Sequence, residues 1–170
     1  MKEIMQILKC TGKLRKEMGL KQSDLAESAP DASPLGSWHT NLLYIDYKKC
    51  ILFVNDKTLF NFIAIGHSRA EIRELSVIFV SNLAYILTLE GFSEKKIKEI
   101  MREYEPLQYA KTNSKSILGS MNDLAFHYKY HIQNEGRDAV PSIIRKVNRM
   151  PMGVLDYAFP IEELKRVCRC

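Results

Sequence analysis

The sequence predicts a single α+β domain, an antiparallel sheet of four or five strands built on a central meander with helices packed over it. Three observations predict it. Short apolar runs separated by turn residues crowd residues 38–65, and helical periodicity takes over from residue 68 onward. The chain of 170 residues, 46% hydrophobic and 26% charged, is large enough to bury one core without disulfides or metal.

Ile4 to Lys9 reads as a first strand, followed by a small basic helix from Lys13 to Met18 that Gly19 would end. Ser28 to Ser37 holds Pro30, Pro34 and Gly36 among small polar residues and reads as a loop, too short to divide two domains. Asn41 to Asp46 and Cys50 to Val54 have the layout of a β-hairpin. The second run lacks polar alternation, which predicts a strand covered on both faces. Asn55 and Asp56 supply the next turn, and Thr58 to Ile65 continues as a third strand.

Ser68 with Glu71 fits a capping box, predicting one helix from Arg69 to Glu90 that is apolar over much of its circumference and stops at Gly91. Ser93 caps a charged helix from Glu94 to Tyr104, Pro106 ends it, and Leu107 to Ala110 returns to the sheet. The longest helix spans Ser116 to Asn134, with Ile117, Met121, Leu124 and Tyr128 on its buried side and Gly136 past its end. Helical stretches at Pro141 to Asn148 and Ile161 to Val167 complete the chain.

Composition sets outer bounds on function. No segment approaches the roughly 20 apolar residues that span a bilayer, and Met1 to Thr11 mixes charges with Ile and Leu rather than building a secretory core. Cys10, Cys50, Cys168 and Cys170 are scattered, and the first two sit in apolar runs, which suits a reducing compartment. The expected location is therefore cytoplasmic. A net charge of +5 and a pI near 9.0 favour phosphate-bearing partners.

The stretch Lys111-Thr112-Asn113-Ser114-Lys115-Ser116 lies between an expected strand and an expected helix start. A helix start offers unpaired N–H groups and about half a positive charge, and these residues add ammonium groups and hydroxyls to it. That combination binds anions, although Ser and Thr at such a position also serve as plain caps. Lys49 and Lys57 would extend the positive surface. Asp123, His127 and His131 recur every four residues on the same helix and could ligate zinc, or equally form a solvated stripe, since no H-E-x-x-H pattern accompanies them. Trp38, His39 and Asn41 enter the hairpin beside the proline loop, where they could line a pocket with Asn122 or close the end of the core. Cys50 reads as a buried thiol rather than a nucleophile, and Cys168-Arg169-Cys170 as a frayed tail.

Three segments together carry a resemblance: Trp38-His39-Thr40-Asn41-Leu42-Leu43-Tyr44-Ile45-Asp46, Lys49-Cys50-Ile51-Leu52-Phe53-Val54-Asn55-Asp56-Lys57-Thr58-Leu59-Phe60, and Ala110-Lys111-Thr112-Asn113 running through Ser116-Ile117-Leu118-Gly119-Ser120-Met121-Asn122-Asp123. The chain resembles a family of small stand-alone bacterial and archaeal proteins classed only as a domain of unknown function. The resemblance marks Trp38, Asn41, Lys49, Cys50, Lys111, Thr112, Ser116, Gly119, Asn122 and Asp123 as motif positions; His127 and His131 lie outside it. It implies no activity, cofactor or partner.

The leading functional expectation is a phosphate-recognising protein that binds RNA or DNA through Lys111, Thr112, Ser114, Lys115 and Ser116, with no cofactor. If it also cleaves RNA without metal, His39 or Asp123 would move the proton and Lys111 would stabilise the phosphate charge. The alternatives are a non-catalytic interaction module, dimerising through the helix at residues 69–90, and a zinc hydrolase on Asp123, His127 and His131.

Overall fold

The computed structural model describes residues 6–27 and 33–169. The expected strand start at Ile4, the Ser28 to Ala32 part of the proline loop and Cys170 lie outside the described residues. The first strand, β1 (Gln6–Cys10), is buried along its length. Helix α1 (Gly12–Met18) follows, its first turn capped by the Thr11 hydroxyl, which accepts from the Leu14 amide, and its end closed by Gly19 in the left-handed conformation. The hairpin pairs β2 (Trp38–Ile45) with β3 (Lys48–Asn55), and its turn is Asp46–Tyr47, both at positive φ. Strand β4 (Asn61–Ile65) pairs antiparallel with β3.

The single helix expected from Arg69 to Glu90 is two, α2 (Arg69–Arg73) and α3 (Leu75–Leu89), broken at Glu74. The capping box of Ser68 and Glu71 opens α2 as predicted. Then come α4 (Glu94–Arg102), β5 (Leu107–Lys111), α5 (Lys115–Glu135), α6 (Val140–Val147) and α7 (Pro160–Cys168).

The α+β class holds, but the sheet is mixed rather than antiparallel. Its order is β4-β3-β2-β1-β5, and β1 runs parallel to both β2 and β5. The physical reason is that β1 and β5 each reach their neighbours through helical crossovers, which return the chain in the same direction. Consecutive strands β2, β3 and β4 are antiparallel because tight turns join them.

Register fixes which side chains share a face. Ala110, Lys9, His39, Val54 and Asn61 form one row across all five strands, and the next row, Lys111, Cys10, Thr40, Phe53 and Phe62, faces the opposite way. The second face carries α1 and α3. Glu17 of α1 pairs with Lys49, and Phe79 of α3 packs on Phe53, Phe62 and Trp38. The first face carries α5 and α6, through Tyr128 and Asn148, which both bond Asn61. The chain therefore leaves β1 for one face and β5 for the other. Adjacent parallel strands whose following helices diverge in this way form a topological switch point, outside whose carboxyl ends open α/β sheets take their ligands.

Candidate functional site

Beneath that switch point lies a buried polar cluster. Lys9 Nζ lies 2.6 Å from Asp56 Oδ2, and His39 Nδ1 lies 2.7 Å from Asp56 Oδ1. A lysine inside an apolar strand is tolerated because Asp56, at the β3 end, neutralises it. His39 is fully buried, and its Nε2 accepts the Asn113 amide at 3.3 Å. An acceptor Nε2 puts the ring proton on Nδ1, where it is donated to Asp56. The residues 47 and 17 positions apart in sequence thus anchor the loop between β5 and α5 to the centre of the sheet.

Above this cluster the strand ends are polar and partly open. Thr11 donates its hydroxyl to Asn41 Oδ1 at 2.7 Å while capping α1. Ser114 caps α5, its hydroxyl accepting from the Ile117 amide and its carbonyl from the Leu118 amide. Among the described residues the amides of Lys115 and Ser116 have no internal acceptor, as expected of a first helical turn. Lys111 follows strand alternation to the α1 side, Lys115 stands at the start of α5, and both are exposed. Neither has a carboxylate within 4 Å among the described residues. Lys13 of α1, also exposed, sits 4.8 Å from the centre of the Tyr44 ring.

The structure separates other residues that the sequence grouped together. Lys49 is paired with Glu17, whose carboxyl the lysine holds below the ordinary range, and Lys57 donates to the carbonyls of Ser33 and Pro34. Both ammonium groups are engaged away from α5. Trp38 is fully buried on the α3 face, its indole N–H donated to the Tyr104 hydroxyl at 2.9 Å, while Asn41 lies on the other face and Asn122 is exposed on α5. These three line no common pocket. Burial pushes the Cys10 thiol up to about 12 and raises Cys50 as well, which leaves both protonated and unreactive near neutrality.

Asp123 and His127 line a cavity of about 370 Å³ between α5 and the segment from Met150 to Val154. His131 turns instead to Glu135, 2.9 Å away, which also pairs with Lys146. Among the described residues no three His, Cys, Asp or Glu side chains gather closely enough to hold a metal ion. On α3, burial of Leu75, Ile78, Phe79, Leu83, Ile86 and Leu87 accounts for most of its apolar surface, leaving Val77 and Tyr85 exposed. No helix is long and apolar enough to cross a membrane among the described residues.

Sequence reasoning missed Lys9, Asp56 and Thr11. The signal available for Lys9 was its own misfit, a cation between Leu8 and Cys10 in an otherwise apolar run, which calls for a buried counter-charge. Asp56 read as an ordinary turn residue, and nothing local marks its contacts.

A family model described as a domain of unknown function (DUF6933) matches residues 7–163, and the chain belongs to that family. No curated protein matches it.

Proposed function

We propose that this family member recognises the phosphate groups of RNA or DNA outside the carboxyl ends of β1 and β5, with Lys111 and Lys115 as its charges. The opening N–H groups of α5 and the hydroxyls of Thr112, Ser114 and Ser116 complete the anion site. One observation carries the reading: exposed lysines without acidic partners flank a helix start whose leading loop is pinned by the buried His39. Pre-set donors bind an anion without a further ordering cost. Exposed Lys13 and Lys16 of α1, across the sheet from α5, are further cations that a second phosphate of a polymer would meet.

Binding is favoured over cleavage. His39 has both ring nitrogens committed internally, and Asp123 stands eight residues beyond Lys115, about 12 Å along the helix at 1.5 Å per residue. Neither can exchange a proton with a phosphate held at the helix start.

Titration of labelled RNA and DNA over a range of salt concentrations tests the proposal. The expected result is an affinity that falls steeply with salt, and a Lys111→Ala, Lys115→Ala double variant whose salt slope is shallower by roughly 1 for each lysine. Salt-independent or absent binding at low ionic strength would refute it.

A further inference from the structure

We propose that the nucleic acid is single-stranded and lies along the outer face of α5, its bases stacked on Phe126 and Tyr130. This rests on the reading that the start of α5 binds phosphate. Lys115, Gly119, Asn122, Phe126, Tyr130 and Gln133 follow one another at spacings of three or four residues, and every one of them is exposed. They form one stripe down the helix.

Phe126 is 70% exposed and Tyr130 57%, a pair of large rings on successive turns. Gln133, at the end of the stripe, donates to Asp46 Oδ1 at 3.0 Å and so brings the hairpin turn alongside, where Tyr47 is fully exposed. The stripe therefore passes from one cation, Lys115, to aromatics. Exposed Lys129 adjoins Tyr130 and exposed Lys48 adjoins Tyr47 in sequence, so cations stand beside the rings as well as the carboxylate of Asp46. Exposed rings with cations beside them are what a strand with unpaired bases requires, because every base offers a π-face while the phosphates seek the charge. A duplex hides those faces.

Gly119 supplies an independent observation. It lies inside a long helix, where glycine is less favourable than alanine. A Cβ added there would meet nothing within 4 Å, so no internal contact requires the absence of a side chain. Between the lysine and the rings, glycine leaves the helix backbone open to close approach by a ligand.

The test is fluorescence anisotropy with a dye-labelled oligothymidine and a labelled duplex of equal length, using the full chain. The single strand is expected to bind more tightly than the duplex. Phe126→Ala and Tyr130→Ala should each weaken single-strand binding by roughly 5-fold or more, as loss of one stacked base does, with duplex binding unchanged. Gly119→Gln should raise the melting temperature and weaken single-strand binding, separating a binding loss from an unfolding one. Unchanged affinity in the two aromatic variants, or equal affinity for the duplex, overturns the inference. If those variants bind normally while the Lys111→Ala, Lys115→Ala variant does not, the stacking inference fails and the phosphate reading stands. Light scattering that finds a dimer dispersed by Phe126→Ala would assign the stripe to a second copy of the chain and also overturn it.

Discussion

Both faces of the sheet are buried, yet different chemistry fills them. Toward α3, Trp38, Phe53, Phe62, Phe79 and Tyr104 pack ring against ring at centroid distances of 4.8–6.0 Å. Toward α5 and α6, the row that includes Lys9, His39 and Asn61 ties to Asp56, Asn113, Tyr128 and Asn148 through hydrogen bonds and one ion pair. Ring packing is tolerant of direction and supplies cohesion. Hydrogen bonds are directional and supply position. The candidate site opens above the polar face, where the loop into α5 must be held at one height.

Three substitutions sharpen or break that contrast, in order of effect. Trp38→Ala removes the largest ring of the aromatic face and leaves the Tyr104 hydroxyl without its indole donor; the expected loss is about 4 kcal/mol of folding stability. Denaturant melts check it, and a loss under about 1 kcal/mol would mean the aromatic face is not the source of cohesion.

Asp56→Ala strands Lys9 in the sheet and frees His39, for an expected cost of about 3 kcal/mol. Hydrogen exchange at the Asn113 amide should rise with it, because the histidine that accepts that amide loses its orienting partner. An Asn113 amide as protected as in the parent protein would show that the polar face does not position the loop.

Asn148→Ala gives the smallest effect, about 2 kcal/mol, by leaving the Asn61 amide on an edge strand without its acceptor and removing one donor from the Asn61 carbonyl. Its signature is local. Exchange should rise along β4 and leave β1 unchanged; a uniform rise across the sheet would mean that α6 contributes to global cohesion instead.

The extents of β2, β3, β4, α4 and α5 were legible to within a few residues, since period-2 and period-3.6 patterns record the burial of one face or both. Cys50 to Val54, free of polar alternation, is covered on both faces as its pattern requires. The break at Glu74 was not legible, because no glycine or proline marks it. Of the candidate site, the loop from Lys111 to Ser116 and its capping serine were readable from residue types alone. The separation of Lys49 and Lys57 from it was not, since each is captured by a partner far along the chain.

The sequence by itself determined the kinds of element, their order, and the helix start flanked by lysines, because each of these is written in side chains a few positions apart. Only the tertiary structure decided that β1 and β5 lie side by side in parallel, that Lys9 meets Asp56, and that His39 is spent holding Asn113. Those contacts join segments that have no local preference for one another, and burial of both sheet faces selects them only when the whole chain folds.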